Sequence, residues 1–293
     1  MKDKSIAYKI FTVCNTIVLT LIALACLYPF FYVVVASISD PNELIKHNGL
    51  LFRPLNDITF AGYKMVFNNK LVLSGYKNTM IILVVGLVFN LILTTMGAYV
   101  LSLKELMLRK PLTILVIITM YFSGGMVPAY LNIRSLGLMD SLWSLIIPGA
   151  ISTSNLIIMR SAFMSVPESL SEAAKMDGAS HGKILIKVML PLVKATLAVM
   201  VLYYGVSHWN AWFNSSIYLR TSSKYPLQLV LRNILIESQT TDMMSDIGAA
   251  ESPQVLQLLK YSLIVVSSLP IMAIYPFLQK FFQKGVMMGA VKG

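Results

Sequence analysis

The sequence predicts an all-α protein that crosses a membrane six times, and three observations carry that prediction. The first is composition: 56% of the 293 residues are hydrophobic and only 13% are charged, too apolar a balance for an ordinary soluble domain. The second is a set of windows free of Asp, Glu, Lys and Arg, at residues 10–39, 78–103, 111–133, 141–159, 195–219 and 261–279. Each reaches or nearly reaches the roughly 20 residues that a helix needs to span a bilayer. The third is the placement of charge. The net charge of +11 would fit a nucleic-acid partner if it formed one patch, but it is dispersed between the apolar windows. The short loop at 104–110 carries Lys104, Arg109 and Lys110, whereas the short loop at 132–140 carries only Arg134. Basic residues in short loops mark the cytoplasmic side, so the first loop and the loop at 165–191 are read as inside. Six spans then leave both termini inside.

The first span begins after Lys2, Lys4 and Lys9, as a signal peptide would, and Leu24-Ala25-Cys26 faintly suggests a lipoprotein cleavage site. The apolar run is too long for a signal sequence, so an uncleaved helix at 10–38 is expected. Cys14 and Cys26 both lie in it and support neither a disulfide framework nor a metal site. A loop at 40–77 follows, with Pro41, Gly49, Pro54 and Gly62, and a short interfacial helix around Tyr63, Val66 and Phe67. In the second span Gly86, Asn90, Thr94, Gly97 and Leu101 align at helical spacing. That row is either a packing seam of small and hydrogen-bonding residues or a surface on which Asn90 and Thr94 meet a solute. Tyr121-Phe122-Ser123-Gly124-Gly125-Met126-Val127-Pro128 predicts a bent or broken third span. Leu136 to Ser141 forms a short turn, and Trp143 sits at the start of the fourth span as an interfacial anchor. Pro29, Pro148, Pro270 and Pro276 mark kinks or ends.

The loop at 165–191 has mixed polarity between two apolar stretches. Val166-Pro167 starts a helix, since proline fits a first turn. Leu170, Ala173, Ala174 and Asp177 share one face, and Gly178 suits the left-handed position after a helix end. Ser180 is placed to cap a second helix whose apolar stripe is Ile184, Leu185, Val188, Met189 and Leu192. Physically this is either an amphipathic loop lying on the membrane or a docking element, its two alanines leaving a shallow face for another protein.

The fifth span rises from Pro191 and carries Tyr203, Tyr204, His208, Trp209, Asn210, Trp212 and Asn214. An aromatic belt accounts for the tryptophans. The amides and His208 point to a partly hydrated surface, because unpaired polar groups in lipid are costly, and aromatic planes with neutral amides suit a sugar. His208 by itself reads as hydrogen-bonded packing. Beyond it, Pro226, Leu227, Val230, Leu231, Ile234 and Leu235 predict an amphipathic helix of about three turns. Asp242, Asp246, Gly248 and Glu251 form a solvated acidic segment, and the tail at 280–293 is basic.

No catalytic or metal constellation is present: no Walker A loop, HExxH, CxxC or nucleophile elbow. His47, His181 and His208 lie in unrelated segments. The charge-free windows leave nothing on which an ion-coupled carrier or an integral membrane enzyme would rely, so the energy for any transport comes through a partner.

Glu172-Ala173-Ala174-Lys175-Met176-Asp177-Gly178-Ala179, followed by Pro191-Leu192, resembles the EAA loop of the permease subunits of bacterial ABC importers. Pro128-Ala129-Tyr130, Leu136-Gly137-Leu138, Pro148, Arg160, Pro167-Glu168, Trp209-Asn210 and the terminal Gly289-Ala290-Val291-Lys292-Gly293 extend the resemblance over most of the chain. It is most similar to carbohydrate permeases that import oligosaccharides from plant or algal polysaccharides. The resemblance implies a type I ABC importer permease fold, one transmembrane domain over 1–293 with its core at about 78–284. It implies that Glu172, Ala173, Ala174, Asp177, Gly178 and Ala179 belong to a coupling helix seated in a groove of an ATPase. The expected partners are a second, homologous permease, two ATP-binding-cassette ATPase subunits, an extracytoplasmic solute-binding protein, a sugar and membrane lipid. ATP and Mg are used by the ATPase subunits, and no cofactor is bound by this chain. A bacterial cytoplasmic membrane is the expected location. Candidates for the solute path are Asn90, Thr94, Tyr121, Tyr204, Trp209, Asn210 and Trp212; another solute is the alternative cargo.

Overall fold

The computed structural model describes residues 6–243 and 253–290, and no strand occurs among them. Lys2, Lys4, Asp246, Gly248, Glu251 and the terminal Val291-Lys292-Gly293, all used above, lie outside the described residues. The first helix, α1 (Ile6–Ser37), runs through Pro29 without ending. Its apolar window is 0% buried, which suits a helix solvated all round by hydrocarbon. Asp40 accepts a hydrogen bond from the Asn42 N–H at 2.8 Å and so caps α2 (Pro41–Lys46), whose first turn holds Pro41. The short helix expected near Tyr63 is α3 (Ala61–Asn68).

The second span, α4 (Lys70–Ser102), starts well before residue 78, because a charge-free window marks the part in hydrocarbon and not the ends of the helix. The third is broken as expected: α5 (Arg109–Tyr121) and α6 (Met126–Ser135) meet at 113° across residues 122–125. The fourth window is not one helix. It contains α7 (Trp143–Ile146), an irregular stretch through Pro148 and Gly149, and then α8 (Thr153–Met164). The loop at 165–191 forms α9 (Glu168–Met176) and α10 (His181–Ile184), which continues through a π turn at Leu185–Met189 into α11 (Leu190–Leu192). Pro191 has no N–H to offer the carbonyl one turn earlier, a common cause of widened turns and kinks. The run His181–Leu192 meets α12 (Lys194–Trp209) at 87°, so the fifth span turns at Val193, just after the proline. The remaining helices are α13 (Trp212–Tyr218), α14 (Leu227–Met243) and α15 (Pro253–Ala290).

The six spans expected from the charge-free windows are not confirmed by helix length alone. Among the described residues three helical stretches are long and apolar enough to cross a membrane, Ile6–Ser37, Lys70–Ser102 and Leu256–Ile274, or up to five if each bent pair is one span.

The chain divides into two compact units. One comprises Met1–Lys70 and Asn233–Leu269. Its core is Val35, Ala36, Leu44 and Leu51, with Tyr32, Leu55 and Tyr261 packed against them. The Tyr28 hydroxyl accepts from the Leu51 N–H at 2.7 Å, tying the irregular stretch after α2 to α1. The other unit comprises Leu71–Arg232 and Pro270–Gly293. One of its clusters gathers Tyr99, Leu156, Met159, Phe163, Ile184 and Met200, which joins α4, α8, α10 and α12. A second cluster gathers Ile82, Ile133, Leu145, Ile146, Tyr218 and Leu219 nearer the N-terminal end of α4. The candidate sites lie in this unit.

Candidate functional site

The loop at 165–191 is built from a short helix with a defined stop. Pro167 precedes α9 as its cap residue. At the other end the Ala179 N–H donates to the Ala174 carbonyl and the Gly178 N–H to the Lys175 carbonyl, both at 2.9 Å, which is the Schellman pattern. Gly178 has φ +75°, and a Cβ there would meet nothing within 4 Å. Its replacement therefore carries a conformational penalty alone, about 1–2 kcal/mol for a left-handed residue with a side chain. Ser180 occupies the cap position of α10, but its side chain makes no capping bond. Of the apolar stripe, Ile184 and Met189 are buried, while Leu192 is exposed.

No residue of α9 is fully buried. Ser171, Ala174 and Lys175 form its half-buried side, and Ala174 packs with Ala179 against the cluster around Tyr99 and Phe163. Leu170, Glu172, Ala173, Met176 and Asp177 are exposed, Met176 to 89%. The two alanines thus do not share one open face: Ala173 is available to a partner, and Ala174 faces its own chain.

Residues 103–108 run beside this helix. Lys104 pairs with Glu168, and the Lys175 ammonium pairs with Glu105 at 2.6 Å. The hydrogen bond and charge of Lys175 hold the Glu105 carboxyl below its ordinary range, and Glu105 raises Lys175 in turn. The His181 Nδ1 lies 3.1 Å from the Tyr99 hydroxyl. These links hold α9 and the start of α10 to the C-terminal end of α4.

Within the helices, Asn90 and Thr94 face His208 and Tyr204 as two rungs of a polar ladder. The Asn90 amide donates to the Gly149 and Ala150 carbonyls at 2.7 and 3.0 Å, and its Oδ1 lies 2.7 Å from His208 Nε2. The Thr94 and Tyr204 hydroxyls are 2.7 Å apart, and the Tyr204 oxygen accepts from the Ser152 N–H at 2.9 Å. Backbone that leaves helical geometry within a membrane must be satisfied by protein, and these side chains do so for the break at 147–152. Gly86 makes room for the imidazole, since a Cβ there would lie 2.5 Å from His208 Nε2. On the far side of Tyr204 and His208 is a cavity of about 360 Å³, lined by Ser144, Ser152, Asn155, Tyr203, Ser207 and Asn214 among others.

The solute-path candidates consequently separate. Tyr204 and the break it holds border the cavity. Asn90 and Thr94 are fully enclosed with their polar atoms engaged, the arrangement of a packing seam. Trp209 is only 3% exposed, stacks edge-on against Tyr76 at 6.4 Å and lines a different, apolar pocket. Asn210 is exposed at the end of α12, where its amide donates to the Val206 carbonyl at 3.1 Å. Trp212 is half-buried beneath Arg232, whose guanidinium carbon is 4.3 Å from the ring centre. Tyr121 is 87% exposed at the end of α5, away from the cavity lining. Sequence reasoning missed Ser152, Asn155 and Ser207, because a charge-free window counts small polar residues as span and does not show that the backbone opens beside them.

A second polar hub, also missed, lies at the N-terminal end of α4. Asp140 has φ +55°, a region that Asp tolerates better than most residues. Its carboxylate accepts from the Arg220 and Thr221 N–H groups, both at 3.0 Å, from the Thr221 hydroxyl at 2.7 Å and from Lys224 at 2.8 Å. The Lys224 contact first, and then the Thr221 and Arg220 amides, hold the carboxyl well below the usual range. Asn78 donates to the Ser223 and Tyr225 carbonyls, and the Thr79 hydroxyl accepts from the Leu227 N–H. The segment leading into α14 is thereby fixed at several points.

The chain is 38% identical over 276 residues, 94% of its length and 96% of the relative's, to the polygalacturonan/rhamnogalacturonan transport system permease protein YtcP of Bacillus subtilis (strain 168). It is 39% identical over 288 residues, 98% of this chain and 96% of the other, to protein LplC of the same organism. A crystal structure of a bacterial ABC transporter involved in the import of the acidic polysaccharide alginate matches with a TM-score of 0.86 and 34% identity, covering 96% of this chain and 100% of that one. No family model matches the chain. With this fold, this loop and relatives matched end to end, the chain belongs to the permease components of carbohydrate ABC transport systems.

Proposed function

We propose that this permease forms one half of the translocation path of an ATP-driven importer and that α9 is the surface on which an ATPase subunit acts. The observation that carries the reading is the open face of α9, where Leu170, Ala173 and Met176 are exposed beside Glu172 and Asp177. A helix bearing this many charges does not lie in hydrocarbon, and an apolar strip with acidic neighbours in water suits a protein groove with basic residues. A second permease, two ATPase subunits and an extracytoplasmic binding protein complete the assembly, in a bacterial cytoplasmic membrane with both termini inside. ATP and Mg belong to the ATPase subunits. The cargo is an oligosaccharide released from a plant or algal polysaccharide, a reading supported by relatives named for polygalacturonan and alginate.

Ala173→Arg tests the docking face, because Ala173 is exposed whereas Ala174 packs inward. The variant is expected to reach the membrane in normal amount, to lose co-purification with the ATPase and to abolish uptake. Normal co-purification together with normal uptake would show that α9 meets nothing.

A further inference from the structure

The cavity between the break at 147–152 and α12 contains more hydrogen-bonding capacity than the chain uses. Asn155 is 7% exposed, yet its carboxamide makes no hydrogen bond with any described residue. Nor is that amide sealed in: among the described residues the enclosed side-chain polar atom without a partner is Trp209 Nε1, in another pocket. Asn155 therefore opens into the cavity. The side chains of Ser207 and Asn214, on its α12 and α13 side, are likewise without an internal partner.

His208 adds an acceptor of known polarity. Asn90 uses its Nδ2 on the Gly149 and Ala150 carbonyls, so the atom it turns to His208 is a carbonyl oxygen, which only accepts. His208 Nε2 must then carry the proton, and in the neutral ring Nδ1 is left with a lone pair. The lining thus combines amides and a hydroxyl, which both donate and accept, with an imidazole acceptor and the rings of Tyr203 and Tyr204. No Lys, Arg, Asp or Glu is among the lining residues.

We propose that this cavity is a carbohydrate subsite within the permease, in which Asn155, Ser207, Asn214 and His208 Nδ1 bind sugar hydroxyls. Each sugar hydroxyl both donates and accepts, as the amides and the serine hydroxyl do, while His208 Nδ1 accepts, and the sugar's CH face suits the tyrosine rings. The chemical class it takes is the neutral, hydroxyl-bearing edge of a sugar. A uronate would enter by that edge with its carboxylate outside, because no cation in the lining would meet the charge. The inference rests on the importer reading and adds to it the place and chemistry of contact.

The test uses the complete importer in proteoliposomes, with Cys14→Ser and Cys26→Ser as background and Asn155→Cys or Ser207→Cys added singly. The probe is an enzymatic digest of pectin and alginate, and the oligosaccharide that accumulates inside is then used alone. Both cysteines should react with a small charged thiosulfonate, and that sugar at ten times its half-saturation should slow the reaction about ten-fold, as simple occupancy requires. Met107→Cys, in the exposed loop, should react at an unchanged rate once the proteoliposomes are permeabilised. Ser207 is exposed, so its variant preserves the test if Asn155→Cys fails to fold. Reaction without protection, while the sugar is still imported, would overturn the subsite and leave the importer reading standing. No reaction at either position would show a cavity closed to water and overturn it also. Accumulation of no oligosaccharide would overturn the carbohydrate reading and the subsite together.

Discussion

Asp140 shows how much one residue can hold. It combines a left-handed backbone with a carboxylate that accepts from two amides, a hydroxyl and an ammonium group. Because the folded state lowers its pKa, its contribution is fully present above the ordinary value of 3.8 and is lost only as pH falls through the lower folded value. From pH 8 to 5 the contribution should be constant. Asp140→Asn keeps a residue that accepts this backbone conformation but removes the charge, and Asp140→Ala removes both. Thermal unfolding midpoints in detergent should fall in the order wild type, Asn, Ala, with the Asn deficit unchanged between pH 8 and 5. A deficit that shrinks across that range would mean that Asp140 is protonated there and that the hub is not built on its charge. None of this was legible in the sequence, where Asp140 is a polar residue in a short turn. Its partners are about eighty positions away, and no local pattern announces them.

At the scale of the element, α9 was the most legible part of the chain. Its stop at Gly178 follows from local geometry, and the sequence carries the signal in one glycine placed after a helical face. Which alanine faces outward was not legible, since adjacent positions on a helix differ by 100° and the side that packs depends on α4 and α8. The tether through residues 103–108 was invisible for the same reason. Lys104–Glu168 and Glu105–Lys175 join segments far apart in sequence. Exposed ion pairs are individually weak, but these two grip α9 near both ends and so bear on its orientation. Glu105→Lys should reduce sugar-stimulated ATPase activity about two- to five-fold, the range of exposed ion pairs, while leaving basal ATPase intact. Lys175→Glu should do the same, and the double exchange should recover most of the loss. High salt should reproduce the single-variant defect in the wild type. Equal defects in the singles and the double would assign the effect to the residues individually and remove the tether from the mechanism.

For the whole molecule, charge-free windows located apolar segments but not their form, because a helix broken at glycine and proline is as charge-free as a straight one. The hydrogen bonds supply what helix length does not. Lys104, Glu168, Lys175, His181 and Tyr99 are joined in one group, so the segments that carry them lie on one side of the membrane. Asn78, Asp140, Arg220, Lys224 and Tyr225 are joined in another. Helix α4 links the two groups. From Asn78 to Ser102 it rises roughly 36 Å at 1.5 Å per residue, more than the hydrocarbon thickness of about 30 Å. The groups are therefore on opposite sides, and each stretch between them must cross: α5 with α6, α7 with α8, and α12 with α13. With α1 and Leu256–Ile274, which are long enough alone among the described residues, this predicts six crossings, a count that labelling can test. Cysteine labelling checks this in intact cells, in the same Cys14→Ser, Cys26→Ser background. Leu136→Cys should react with an impermeant maleimide from outside. Met107→Cys, highly exposed, should react only after the membrane is permeabilised. If Leu136→Cys and Met107→Cys react from the same side, α5 and α6 form a re-entrant hairpin, and the two hydrogen-bonded groups do not lie on opposite sides of the membrane.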